Sequence, residues 1–194
     1  MTELDRKKRR RRRRAAAILA FLVLAVALTW FLESQATTTI IVVRYADVAD
    51  GTNPASSLTA AGRRRARELA RVLADIDVGG GLDAIFANQN LSSQETVRPL
   101  AERLDIPVQV VDSKNVGGLR DMLRTEYKGK IVLVVTDRDM LPRLIRRLRG
   151  SEDVPAIADA EYDNIYVVTI PWYGKVKTIR LQYGEAYASK SELQ

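Results

Sequence analysis

The sequence of 194 residues contains no histidine and no cysteine. Without cysteine there are no disulfides to stabilise the fold, although this absence decides nothing about the compartment in which the protein works. Without histidine the chain has no imidazole, the side chain best suited to accept a group or a proton near neutral pH. Any catalysis by this chain must therefore rely on other side chains.

The positive charge of the chain is confined to its beginning. Nine Lys/Arg and two acidic residues in residues 1–14 account for the whole net charge of +7, and the remaining 22 basic and 22 acidic side chains balance. A neutral folded part gives no electrostatic reason to expect nucleic-acid binding. The basic tail is instead expected to face anionic lipid headgroups, because an apolar segment follows it.

Residues 15–32 contain no charged side chain. A stretch of this length and apolar character predicts a transmembrane signal anchor. The basic tail places the N-terminus in the cytoplasm and the bulk of the chain outside the membrane, after a linker at 33–36. The alternative is a cleaved signal peptide, because Ser34, Gln35 and Ala36 resemble a cleavage site and cleavage would yield a secreted protein. The length of the apolar stretch favours the anchor.

Residues 37–185 read as one domain in which strands alternate with helices, followed by a polar C-terminal segment at 186–194. Apolar, β-branched runs predict strands at 37–43, 82–88, 106–111, 130–136, 164–170 and 176–183. Amphipathic runs predict helices at 58–76, 91–104, 115–129 and 139–150, with Thr59 as an N-cap. This order predicts an α/β fold, a three-layer α/β/α sandwich with a mostly parallel sheet whose last two strands form a hairpin.

In such sheets, ligands bind beyond the carboxyl ends of the parallel strands. Two loops qualify, at 44–50 after the first strand and at 136–139 after the strand at 130–136. The first begins with Arg44 and Tyr45, and the second contains Asp137. We therefore look for function at this edge.

Four sequence blocks in this order resemble the histidine phosphatase superfamily, also called phosphoglycerate mutase-like. They are a strand ending in Arg44, "SLTAAGRRRARELARVL", "IFANQNLSSQETVRPLAERL" and "IVLVVTDRDMLPRLIRRL". The late strand in "DAEYDNIYVVTIP" is also similar to that of short bacterial members. The resemblance covers nearly all of the chain after the apolar segment and implies the fold of that superfamily.

The resemblance also implies a catalytic set that this chain lacks in part. Members carry a nucleophilic histidine directly after the first arginine, and a second arginine and a second histidine that hold the phosphate. Arg44 keeps its identity, but the three other positions are occupied by Tyr45, Ser92 and Asp137. A phenol, with an ordinary pKa near ~10, is a poor nucleophile at neutral pH. Each unit charge at ~4 Å is worth about 4 kcal/mol at an effective dielectric near 20, so a carboxylate opposes phosphate binding strongly.

These replacements predict a pseudoenzyme that serves as a binding or regulatory module for a protein or envelope partner, with no cofactor and no bound metal. We also expect Arg44 and Asp137 to form an ion pair in a collapsed site. The alternative is a weak or atypical phosphatase that uses Tyr45 as nucleophile, with Asp137 as its base, or a remodelled site. The general acid of the superfamily cannot be placed, and Asp112 and Glu126 are its candidates by position.

Two further alternatives come from charged clusters. Asp47, Asp137 and Asp139 supply the oxygen ligands that Mg²⁺ prefers, although no spacing motif supports a metal site. The arginines of the two most basic helices form either a solvated face or a site for anionic lipid or an acidic partner. These arginines are Arg63, Arg64, Arg65, Arg67 and Arg71 on one helix and Arg143, Arg146, Arg147 and Arg149 on the other.

Overall fold

A computed structural model describes residues 3–34, 37–75, 81–151, 154–155 and 157–186. The chain divides into two compact units, Met1–Ala36 and Thr37–Gln194. The cleavage-like residues Gln35 and Ala36 and most of the polar C-terminal segment, from residue 187 onward, lie outside the described residues.

The first unit consists of one helix, α1, at Glu3–Ser34. Large apolar side chains along it are exposed, including Leu19 at 64% and Phe21 at 68%. Among the residues described, no helix combines the length and the apolar character that crossing a membrane requires.

The second unit alternates strands and helices, as the sequence predicts. The strands are β1 (Thr38–Arg44), β2 (Ala84–Asn88), β3 (Val108–Val111), β4 (Ile131–Thr136), β5 (Asn164–Ile170) and β6 (Lys177–Gln182). The helices are α2 (Ala60–Ala74), α3 (Leu91–Leu104), α4 (Val116–Thr125) and α5 (Met140–Arg147). The α/β class predicted from the alternation of these elements is confirmed.

The six strands form one mixed sheet in the order β3-β2-β4-β1-β5-β6. β1 to β4 are parallel to their neighbours within this group. β5 runs antiparallel to β1, and β6 runs antiparallel to β5, which confirms the predicted hairpin. The parallel strands therefore end at one edge of the sheet, where Arg44 of β1 lies beside Thr136 of β4.

Helices cover both faces of the sheet, because successive side chains of a strand point to opposite sides. Ile40 and Val42 of β1 pack into one core with the apolar side chains of α4 and α5. Ile41 and Val43 pack into a second core with those of α2 and α3. These two cores give the domain its three layers.

The start of α2 packs tightly against the loop after β1. The Thr59 side chain accepts a hydrogen bond from the Gly62 N–H at 3.0 Å, which confirms the predicted N-cap. A Cβ on Gly62 would lie 2.2 Å from the carbonyl oxygen of Asp47. Only glycine permits this close approach. The glycine of the "LTAAG" block therefore positions the loop that carries Tyr45.

Candidate functional site

A cavity of about 310 Å³ opens where β1 and β4 end. Three of the four predicted positions, Arg44, Tyr45 and Asp137, line it together. The other lining residues come from the loops that follow β1 and β4 and from the segment before β5: Val48, Ala49, Gly51, Thr52, Arg138, Asp139, Asp159 and Tyr162. The topology thus brings both predicted loops to one site.

The Arg44 guanidinium is bound by the protein itself. It is 4% exposed, and one of its terminal nitrogens donates to the carbonyl oxygens of Ala158 at 2.9 Å and Glu161 at 3.0 Å. Its Cζ also lies 4.1 Å from the centroid of the Tyr162 ring, within cation–π range. Among the described residues, none offers a hydrogen-bond partner to the buried Nε of Arg44. The cation is therefore partly neutralised by main-chain oxygens and an aromatic face.

Tyr45 is buried at 4% exposure, and its ring packs among the second core residues. Its hydroxyl donates to the carbonyl oxygen of Gly51 at 3.3 Å. In the described part of the chain, no carboxylate accepts the proton of this hydroxyl. The geometry does not provide the base that a tyrosine nucleophile requires.

The predicted ion pair between Arg44 and Asp137 is wrong. One carboxylate oxygen of Asp137 accepts from the backbone N–H groups of Asp139 at 3.0 Å and Met140 at 2.7 Å. The other accepts from the Asn88 side-chain amide at 2.9 Å. Asp137 thus satisfies the first orphan N–H groups of α5, while Arg44 is satisfied by carbonyl oxygens. The two side chains share a cavity, but each has its own partners.

Ser92 lies apart from this arrangement. It is 3% exposed in the first turn of α3, and it is not among the described residues that line the cavity. Its carbonyl accepts from the Thr96 hydroxyl at 2.7 Å, and that hydroxyl accepts from the Ala46 N–H at 2.9 Å. Here α3 holds the loop after β1 in place.

No motif in the sequence singles out Arg138, which lies on the cavity wall. Arg138 forms an ion pair with Asp159 and a longer contact of 3.7 Å with Asp139. Among the described residues, the cavity wall therefore carries two cations, Arg44 and Arg138, and three carboxylates, at Asp137, Asp139 and Asp159. This excess of negative charge disfavours an anionic ligand.

The segment before β5 was also missed as part of the site. Glu161 is 9% exposed, and its carboxylate accepts from the Ala158 N–H at 2.9 Å, the Asn164 amide at 2.5 Å and the Arg180 guanidinium at 2.7 Å. These bonds fix the turn whose carbonyl groups hold Arg44. Next to it, burial raises the pKa of Tyr162, and the Arg44 charge lowers it by less.

The alternative metal site is not assembled. Asp47 forms a 2.7 Å ion pair with Arg65 of α2 and does not line the cavity. Over the residues with described positions, no three His, Cys, Asp or Glu side chains gather into a group that could hold a metal ion.

The two candidates for a general acid also lie away from the cavity. Asp112 accepts from the Lys114 N–H at 2.8 Å in the turn before α4. Glu126 is the C-cap of α4, the end of that helix that points away from the cavity. Neither lines the described cavity.

The role of Asp137 can be tested by Asp137→Ala, which removes the acceptor for α5 and for Asn88. We expect the free energy of unfolding to fall by about 1–2 kcal/mol, the usual effect of losing a helix-capping acceptor. The measurement is urea denaturation. The matched control is Asp139→Ala, whose side chain is 85% exposed, and the expected change there is within about 0.5 kcal/mol. Equal losses in the two variants would contradict the capping role.

Comparison with known proteins identifies the fold. No protein-family model and no curated protein matches this sequence. Among solved structures, that of the protein histidine phosphatase SixA complexed with tungstate has a TM-score of 0.61 at 18% sequence identity, covering 74% of this chain and 96% of that one. The alpha-ribazole phosphatase from Shigella flexneri has a TM-score of 0.56 at 14% identity, covering 78% and 99%.

A mycobacterial glucosyl-3-phosphoglycerate phosphatase has a TM-score of 0.55 at 10% identity, covering 77% of this chain and all of that one. These neighbours belong to the histidine phosphatase superfamily, so the fold is phosphoglycerate mutase-like, as the sequence blocks predicted. At such low identities the likeness concerns the fold, and the chemistry must be argued from the cavity.

Proposed function

We propose that this chain, which has the fold of the histidine phosphatase superfamily, is a pseudoenzyme that acts by binding and not by phosphoryl transfer. We further propose that a membrane anchor holds it and that its partner is a protein or an envelope component. The observation that carries the proposal is the state of Arg44. Its guanidinium donates to the carbonyl oxygens of Ala158 and Glu161, within the protein itself.

Phosphoryl transfer depends on cations and donors that surround the equatorial oxygens of the phosphoryl group. Arg44 is buried and partly neutralised, and Arg138 is paired with Asp159. The position of the second histidine holds a carboxylate, Asp137, which repels a phosphate dianion by about 4 kcal/mol per unit charge at ~4 Å. The cavity therefore lacks the field that the reaction needs.

The nucleophile is missing as well. Tyr45 occupies its position, but the hydroxyl donates its proton to the carbonyl oxygen of Gly51. A carbonyl oxygen is not a base that can take this proton during attack, so the site does not activate the hydroxyl as a nucleophile. The ring of Tyr45 is buried in the second core, so the residue serves to pack the fold.

The proposed anchor is residues 15–32, an uncharged apolar stretch after nine basic residues. The basic tail would lie at anionic headgroups on the cytoplasmic side, and the domain would lie outside the membrane. No helix among the described residues meets the requirement for crossing a membrane, so the anchor and this topology rest on the sequence alone. The tryptophan measurement described below tests the anchor.

The absence of phosphatase activity is tested by measuring turnover of an aryl phosphate by the full-length protein in lipid nanodiscs. We expect hydrolysis no faster than in protein-free nanodiscs. Orthophosphate should also leave the melting temperature unchanged. A ligand that binds the folded protein stabilises it by about 2.7 kcal/mol at 100 times its Kd, so phosphate binding would raise the melting temperature. Turnover that disappears in Tyr45→Phe would overturn the proposal and establish a phosphatase with a tyrosine nucleophile.

A further inference from the structure

The tip of the β5–β6 hairpin, residues 171–176, is an exposed aromatic and basic surface. Trp172 is 51% exposed and Tyr173 is 86% exposed, with their ring centroids 6.2 Å apart. Lys175 and Lys177 follow and are also exposed. From residue 164 to residue 182 the sequence contains no acidic side chain. Aromatic rings beside lysines are the side chains that proteins place at the headgroup level of a membrane.

The hairpin presents this tip from a fixed base. Ile170, the last residue of β5, and Val176, the residue before β6, pack against the first core. The Thr178 hydroxyl accepts from the Ser151 N–H at 3.1 Å, which joins β6 to the segment after α5. Packing therefore fixes the base of the hairpin, from which the exposed tip projects.

The position of the tip in the sheet points to the same partner. Thr38, the first residue of β1, lies beside Ile170, the last residue of β5. The tip therefore lies at the edge of the sheet where β1, the first strand of the domain, begins.

Further basic side chains end at this edge. α5 runs from the cavity edge toward it and finishes with the exposed Arg146 and Arg147, followed by the exposed Arg149. The acidic Glu152 and Asp153 come next in the chain and lie outside the described residues. On the far side of the edge, Lys130 pairs with Asp83 at 3.0 Å. Over the described residues, the side near the hairpin thus has the charge that complements anionic lipid.

We propose that the hairpin tip docks the domain onto the surface of an anionic membrane, with Trp172 and Tyr173 at the headgroup level and Lys175 and Lys177 against lipid phosphates. The proposal builds on the anchor of the proposed function, which would bring this edge to the bilayer. It assigns a second, independent membrane contact to the folded domain.

The two tryptophans of the chain, Trp30 and Trp172, make the two contacts separately measurable. The full-length protein is reconstituted in vesicles of phosphatidylcholine and phosphatidylglycerol that carry lipids spin-labelled near the headgroup or deep in the acyl chain. In Trp30→Phe protein, we expect the headgroup label to quench the fluorescence of Trp172. In Trp172→Phe protein, quenching of Trp30 by the acyl-chain label reports the anchor.

Lys175→Gln with Lys177→Gln, in the Trp30→Phe background, should abolish the quenching of Trp172. Each lysine near an anionic surface raises the docking equilibrium constant by a factor of about five, so removal of both charges lowers that constant about 30-fold. Pure phosphatidylcholine or 1 M salt should have the same effect, because the Debye length then shrinks to about 3 Å. The matched control is Lys114→Gln, an exposed lysine in the turn before α4, which should change nothing.

Absence of Trp172 quenching in anionic vesicles overturns the docking proposal, whatever Trp30 reports. If Trp30 is quenched and Trp172 is not, the anchor stands and the docking fails. If Trp172 is quenched and Trp30 is not, the docking stands and the anchor fails. A change in Trp172 fluorescence that follows protein density and not lipid charge would assign the tip to a second copy of the chain, and also overturns the proposal.

Discussion

Replacing Arg44 with methionine is expected to lower the free energy of unfolding by about 3 kcal/mol. The substitution removes two charge-assisted hydrogen bonds and leaves the carbonyl oxygens of Ala158 and Glu161 without their donor. Hydrogen bonds from charged groups contribute about 1.5–3 kcal/mol each, and the apolar side chain of methionine recovers part of this by packing. The loss of the contact with Tyr162 adds to the effect. Urea denaturation of the full-length protein in nanodiscs measures it.

The matched control is Arg138→Met, at the second cation of the same cavity. The Arg138 side chain is 42% exposed, so its ion pairs contribute little, and we expect a change within about 0.5 kcal/mol. An Arg44→Met protein as stable as the parent would show that Arg44 is held weakly and is free to bind a ligand. That result would contradict both the structural role and the proposed pseudoenzyme.

Replacing Glu161 with alanine is expected to lower the free energy of unfolding by a similar amount, about 3 kcal/mol. The carboxylate is the acceptor for the Ala158 N–H, the Asn164 amide and the Arg180 guanidinium. Removing one partner of a buried charged network costs about 3–5 kcal/mol, and the 40% exposure of the Arg180 side chain reduces this. The same urea denaturation measures the loss. Glu126→Ala, at the exposed C-cap of α4, is the control and should change stability by no more than about 0.5 kcal/mol.

The double variant Arg44→Met with Glu161→Ala tests whether the two residues act as one unit. Glu161 fixes the turn whose carbonyl groups hold Arg44, so the second substitution should cost less once the first is present. We expect a coupling of about 1 kcal/mol, within the range for residues of one network. Simple additivity would mean that the turn keeps its shape without the carboxylate, and would contradict its positioning role.

Most of the fold follows from local patterns in the sequence. The continuous apolar run at 131–136 has the composition of a strand buried on both faces, and it is β4 in the middle of the sheet. The turn residues between 171 and 174 predict a hairpin, and β5 and β6 pair antiparallel. These signals depend on period and turn chemistry alone, which one sequence contains.

The partners of Arg44 could not be predicted in the same way. It donates to carbonyl groups more than 110 positions away in the chain, and every residue has a carbonyl group, so no side chain marks the acceptor. Charge alone made Asp137 the obvious partner. The nearby start of α5 and the amide of Asn88 compete for that carboxylate, and their backbone geometry appears only in the folded chain.

Ser92 shows a second limit to predicting the site from the sequence. A block of sequence similar to a family motif gives a residue its place in the chain, but not its orientation. In this domain Ser92 is buried under the loop after β1 and makes no part of the described cavity wall.

The direction of β1 has a consequence for whatever occupies the cavity. The strand runs for seven residues from Thr38, beside the hairpin tip, to Arg44 on the cavity wall, which separates these two points by roughly 20 Å. With the tip on the bilayer, the cavity would open toward the solvent, beyond the reach of headgroups from that leaflet. Its occupant would then approach from the aqueous side, as a soluble protein or as the part of an envelope protein that extends away from the membrane.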